Sequence, residues 1–141
     1  MQVVELGKGK WTVCAICDAN GDCPILEAIA EWDAALADAV LNDLQEYIPD
    51  SESKEWFQGF SKQLRGYGKL NEFRWLKGKG GTPRIYWFFD AGRLVICARA
   101  ELKKGKNDPE IMKAAEKARA AYFAAKEAGD ITVVPYEDTE N

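Results

Sequence analysis

LNEFRWLKGKGGTPRIYWFFDAGRLVICARAELKK, residues 70–104, is the stretch whose reading decides the fold. Apolar and β-branched runs bounded by turn residues predict strands over 70–76, 84–89 and 93–103. A glycine-rich connection, 77–83, joins the first two, and Asp90, Ala91 and Gly92 make a tight hairpin between the last two. Side chains alternate across a strand with period two. Phe73, Trp75, Ile85, Trp87, Phe89, Leu94, Ile96, Ala98, Ala100 and Leu102 then form one set. Glu72, Arg74, Arg84, Tyr86, Arg99, Glu101 and Lys103 form the other. The expectation is a sheet with one hydrophobic face and one polar, largely cationic face, across which a phosphate-bearing partner lies.

Working towards the N-terminus, residues 11–17 predict a strand closed by the turn residues 18–22. Pro24 stands at a first helical position. Ile25, Ile29, Trp32, Leu36, Val40, Leu44 and Tyr47 then recur at spacings of three and four, which predicts one long amphipathic helix ended by Pro49. A second helix is expected over 52–64, burying Trp56, Phe57, Phe60 and Leu64, before Gly66 and Gly68. Towards the C-terminus, Asp108 and Pro109 make an N-cap and first turn. Ile111, Ala115, Ala118, Tyr122 and Ala125 form the stripe of the helix that follows, which Gly129 caps. Residues 131–136 are a candidate edge strand and 137–141 a loose end. The order βααβββα describes an α+β protein, with a single domain over 1–129 and a tail over 130–141.

The 141 residues suffice for one domain with a real core. Charged residues make up 30% and apolar residues 47%, a globular rather than a disordered balance. No apolar run reaches the ~20 residues of a membrane span. The N-terminus lacks the basic-then-apolar layout of a signal peptide, so the cytoplasm is the expected location. The net charge of −4 conceals a segregation. Residues 1–53 hold 2 basic and 11 acidic groups, residues 54–106 hold 13 and 4, and residues 107–141 hold 4 and 8. A basic block between acidic ones steers a polyanion to one surface; acidic helices that only solvate one side are the plainer account.

Cys14, Cys17 and Cys23 suggest a metal site, yet histidine is absent and Cys97 lies far off. Residues three apart in a strand point to opposite faces, whereas structural zinc pairs flank a tight turn. Reduced, buried thiols are therefore expected and no metal centre.

The motifs Leu70-x-Glu72-Phe73-Arg74, Pro83-Arg84-Ile-Tyr86-Trp-Phe-Phe89 and Leu102-Lys103-Lys104 occur in this order. Lys106-Asn107-Asp108-Pro109 and the alanine-rich helix 110–122 follow. In order and spacing this resembles the HigB-like branch of the RelE toxin superfamily, small and often phage-derived toxins of type II toxin–antitoxin pairs. The resemblance covers residues 11–129. It implies a RelE-like fold: a small, twisted, mainly antiparallel sheet with two N-terminal helices on one face and a C-terminal helix. It also implies a ribosome-dependent, metal-independent mRNA endoribonuclease without cofactor, held in check by a cognate antitoxin of helix-turn-helix type. In that reaction the RNA's own 2′-OH attacks the adjacent phosphate.

The reaction needs a base, cations for the extra phosphate charge and an acid. Arg84 matches the family's strand arginine, and its planar fork suits two phosphate oxygens. It is expected to be replaceable without loss of the fold. Arg74, Lys77, Lys79, Lys104 and Lys106 are the candidate RNA contacts, with an ion pair to Glu72 or Glu101 the alternative for Arg74. Arg99 stands where many relatives carry histidine, and arginine cannot exchange a proton near neutrality. Lys103, Lys77 and Glu101 are candidate bases, and Tyr86 a candidate acid or stacking platform. Glu101 as a charge-balancing partner and Tyr86 as filling beneath the last helix are the alternatives. Two other readings stay open: a non-catalytic module of the same fold that binds RNA or a protein, and a regulator whose acidic helices bind a basic partner.

Overall fold

The computed structural model describes residues 1–52, 61–64 and 66–136, with the side chain of residue 62 excepted. The strands are β1 (Gln2–Lys8), β2 (Thr12–Ile16), β3 (Ser61–Gln63), β4 (Asn71–Arg74), β5 (Thr82–Asp90), β6 (Leu94–Lys103) and β7 (Thr132–Pro135). They form one mixed sheet in the order β3-β4-β5-β6-β2-β1-β7. The β2/β6 and β1/β7 pairs are parallel and the others antiparallel. The chain is thus α+β. The predicted strand 11–17, the three strands of 70–104 and the edge strand near the C-terminus are all present.

Strand β1 was absent from the prediction, although Val3, Val4 and Leu6 are buried. Its alternation is interrupted by a register shift between Glu5 and Gly7. Gly7 is there because the helical layer touches the strand: a Cβ would meet the Gln45 carbonyl oxygen at 2.6 Å.

The single long helix is also corrected. Helix α1 (Pro24–Ala30) stops, and α2 (Ala34–Asn42) begins after the extended Asp33, φ −50° and ψ 136°. A π-helical turn (Asp43–Tyr47) leads into the one-turn α3 (Ile48–Asp50). Pro49 lies inside that last turn and does not end the helix. Proline has no N–H to return to the preceding turn, and the wider turn ahead of it absorbs that loss. The break at Asp33 lets both helices lie flat on one sheet face, where Ile25, Ile29, Val40, Leu44 and Ile48 meet Val13, Phe73, Ile85, Trp87 and Val95. Trp87 stacks on Phe73 at 4.6 Å between ring centroids.

Helix α4 (Pro109–Glu127) covers the opposite face, packing Met112, Ala115, Ala118 and Tyr122 on Tyr86, Phe88, Ile96 and Ala98. Its ends follow the sequence signals. The Asp108 carboxylate accepts from the Glu110 N–H at 2.9 Å, and Gly129, φ 70°, donates to the Lys126 carbonyl at 3.0 Å. Of the helix expected over 52–64, residues 53–60, including Trp56, Phe57 and Phe60, lie outside the described residues. Ser61–Gln63 pairs with β4 as a strand instead. The loose end 137–141 is likewise outside them. Among the described residues no helix is long and apolar enough to cross a membrane.

Strict alternation fails a second time, at a more important place. Tyr86 pairs with Arg99 but Trp87 pairs with Cys97, so Ala98 is an extra residue in β6. Such a bulge restarts the alternation on the bulged strand. Leu94, Ile96 and Ala98 therefore pack beneath α4 rather than on the face holding Phe73 and Trp87. Among the described residues the sheet presents no open cationic face, because helices cover both sides of its centre.

Candidate nucleic-acid interface

Three strand ends meet at one end of the sheet. β4 finishes at Arg74, β5 starts at Thr82 and β6 finishes at Lys103, with Arg74 opposite Arg84 and Thr82 opposite Lys103. The connection between β4 and β5 closes through a Gly78–Gly81 bridge. Gly81, φ 142°, sits so close to β6 that a Cβ would meet the Lys103 carbonyl oxygen at 2.7 Å. That contact presses the 77–81 turn against the end of β6. Arg74, Lys77, Lys79, Lys104 and Lys106 are all exposed there, and Lys103 is half-buried with its Nζ 3.8 Å from the Asp108 carboxylate. Leu76, 90% exposed, stands among them. This is a rim of cations around a strand end, where a polyanion's phosphates can be met without desolvating the charges.

Behind the rim lies a buried polar cluster beneath the start of α4. Glu72 and Tyr86 are 0% exposed, Glu101 5% and Arg84 6%. Arg84 spreads its guanidinium over the loop between β6 and α4: Nη1 donates to Asn107 Oδ1, and Nη2 to the Gly105 carbonyl at 2.9 Å. Asn107 in turn donates through Nδ2 to Glu72 Oε2. Glu72 Oε1 accepts from Arg74 Nε at 3.1 Å and Nη2 at 2.9 Å. The Tyr86 hydroxyl donates to Glu101 Oε2 at 2.9 Å, and the Asp108 N–H reaches the same oxygen at 3.3 Å. Two polar atoms of this cluster are buried without a hydrogen bond, Arg84 Nε and Glu101 Oε1. They belong to residues directly opposite each other on β5 and β6.

Burial pushes the Glu101 carboxyl above the ordinary carboxylate range, against the lowering effect of Tyr86, the Asp108 N–H, Lys103 and Arg84. The Tyr86 hydroxyl is pushed far up by burial and by its bond to a carboxylate. Tyr86 is therefore a fixed donor to Glu101, and it fills space under the last helix. Arg99 is half-buried, and its Nη1 donates to the Ala98 carbonyl at 2.7 Å. The structure thus brings Arg84, Tyr86 and Glu101 together but in the interior, pairs Arg74 with Glu72, and leaves the lysines outside.

Asn107 is the residue that sequence reading missed. It stands just before the N-cap Asp108, and its legible signal was its place in the Lys106-Asn107-Asp108-Pro109 motif, which gave it no role of its own. The cysteines are free and buried, with Cys17 among the side chains under α1 and α2 and Cys14 among those under α4. Burial raises the Cys14 thiol to about 12, and the Cys17 thiol, also next to Cys23, to about 11. Among the described residues no group of three or more His, Cys, Asp or Glu side chains is placed to hold a metal ion.

No family model matches the chain, and no curated protein matches it.

Proposed function

We propose that this protein is the toxin of a type II toxin–antitoxin pair, of the RelE/HigB-like kind: a metal-independent endoribonuclease that cuts mRNA on the ribosome in the cytoplasm. The observation that carries the reading is the rim of Arg74, Lys77, Lys79, Lys103, Lys104 and Lys106 at one end of the sheet, directly in front of the buried Arg84 and Glu101. The α+β class supports the reading at that coarse level: β4, β5 and β6 lie side by side in the sheet, with helices on both of its faces. In this scheme the rim holds the RNA backbone. Arg84 and Arg99 neutralise the phosphate in the transition state. Glu101 takes the 2′-OH proton as that oxygen attacks the phosphorus, and Lys103 gives a proton to the departing 5′ oxygen. The natural inhibitor is an antitoxin that covers the same rim.

The burial of Arg84, Tyr86 and Glu101, each already bonded within the protein, favours a second reading: a non-catalytic module of the same fold that binds RNA through the rim. Expression without a partner separates the two. Slowed growth with transcripts cut on ribosomes, abolished in Lys103→Ala, supports the toxin. Normal growth and intact transcripts, with salt-sensitive RNA binding by the soluble protein, support the module. Absence of both cleavage and RNA binding refutes both.

A further inference from the structure

Arg84 is bonded in a way that resembles how an arginine holds a phosphate. Its two terminal nitrogens each donate to a separate oxygen, Asn107 Oδ1 and the Gly105 carbonyl, both on the loop between β6 and α4. A guanidinium binds two oxygens of one phosphate in the same bidentate manner. The loop oxygens are neutral, so they are weaker partners than a phosphodiester anion. The seat is also incompletely satisfied. Arg84 Nε and Glu101 Oε1, an orphan donor and an orphan acceptor on neighbouring strands, are buried without partners. Orphan groups this deep are uncommon in folded proteins. The loop itself is lightly held: Lys104, Gly105 and Lys106 are exposed, and a Cβ at Gly105 would touch nothing within 4 Å.

We propose that residues 104–107 form a strap in which Asn107 and Gly105 occupy the phosphate seat of Arg84 until an RNA phosphodiester displaces them. The inference rests on the RNA reading above and concerns how that same site is regulated. Lys104 and Lys106 bring the backbone to the strap. A phosphodiester then takes the two Nη groups along their shared edge, in place of the two loop oxygens. With the strap lifted, Glu72 Oε2 loses its Asn107 donor, and Glu101 Oε1 remains the acceptor opposite Arg84 that was unpaired from the start. The closed form is the resting state, which keeps Arg84 and Glu101 away from solvent and from unintended substrates. Asn107 is a positioning residue in this scheme, because it holds Arg84 and touches no substrate.

The test measures binding of a 2′-O-methyl hexaribonucleotide, which lacks the attacking hydroxyl, and separately of inorganic phosphate. Asn107→Ala removes the strap's side-chain oxygen, and the oligonucleotide should bind about tenfold more tightly, since one competing hydrogen bond is gone. The gain should shrink to within about twofold when Arg84→Lys is added, because lysine offers a point charge rather than a fork. In the unaltered protein, binding should speed hydrogen exchange at the amides of residues 105–108 while those of β5 slow. Equal or weaker binding by folded Asn107→Ala overturns the strap, as does protection of 105–108 in the unaltered protein. If Asn107→Ala does not fold, the exchange measurement decides alone. If neither protein binds the oligonucleotide at low salt, the RNA reading has failed. The strap is then judged by phosphate: stronger phosphate stabilisation of Asn107→Ala than of the unaltered protein supports it, and equal stabilisation refutes it.

Discussion

Arg84→Ala should destabilise the fold by about 3 kcal/mol, and the figure follows from what the guanidinium holds. The substitution removes two donated hydrogen bonds, one to Asn107 and one to the Gly105 carbonyl. Bonds from a charged donor contribute ~1.5–3 kcal/mol each. Gly105 is exposed and Asn107 half-buried, so water replaces part of that loss, and the lower end of the range applies. A second contribution comes from the carboxylates left behind. Glu101 and Glu72 are nearly or wholly buried, and Arg84 stands opposite Glu101 on the neighbouring strand and reaches Glu72 through Asn107. Leaving a buried charge uncompensated costs ~3–5 kcal/mol in the worst case. Glu72 keeps Arg74, and Glu101 can take up a proton, so only a fraction of that cost is felt. Thermal unfolding followed by far-ultraviolet circular dichroism should show the midpoint falling by ~10 °C for a domain of this size. Urea titration should give an unchanged m-value. Arg84→Lys, which keeps the charge without the fork, should fall by roughly half as much. A midpoint for Arg84→Ala within ~1 °C of the unaltered protein would falsify the reasoning. It would mean that Arg84 is not engaged with the loop in solution and is free, as the sequence alone suggested.

Trp87→Ala should cost ~3–5 kcal/mol, because the ring is fully buried, stacked on Phe73 and edge-on to Phe89; a loss under ~1 kcal/mol in urea would show that face to be loosely packed. Glu101 carries a pKa raised above its unfolded value, so its favourable contribution is fully present below the ordinary carboxylate pKa and is lost as pH rises through the raised one. Glu101→Gln should therefore flatten the decline in stability over that interval, read as midpoint against pH; an unchanged slope would assign the dependence to another group. Asp90 behaves in the opposite sense. Burial alone would raise it, but the Lys126, Tyr122 and Ala91 donors outweigh that, so its contribution is present above the ordinary pKa and lost as pH falls through the lowered one. Lys126→Ala with Tyr122→Phe should move the onset of acid unfolding to higher pH, and an unmoved onset would remove Asp90 from the account. Lys104→Ala combined with Lys106→Ala should reduce the slope of log affinity against log salt for single-stranded RNA by about 1.4, at ~0.7 per lost phosphate contact. An unaltered slope would place the RNA elsewhere.

What the sequence by itself determined is whatever local chemistry dictates. The strand over 12–16, the three strands within 70–104 and the capped helix 109–127 were legible, because alternation, Asp-Pro starts and a left-handed Gly129 act within a few residues. The cationic block in the middle third was legible too, since charge counts need no coordinates. Tertiary structure decided the rest through contacts between distant segments. Asp33 breaks the helical period so that two helices can lie flat on the sheet. Gly7 is needed only because the π-helical turn rests on β1. A single extra residue, Ala98, transfers half of β6 to the other face, and no periodicity count reveals a bulge that its partner strand imposes. The same holds for the site. Arg84, Tyr86 and Glu101 were correctly grouped on one side, yet α4 folding back over them turns a surface into an interior. Asn107, one residue ahead of a helix cap, acquires its importance because it reaches Arg84 and Glu72 at once, and a side chain's partners are set by where the chain returns in space.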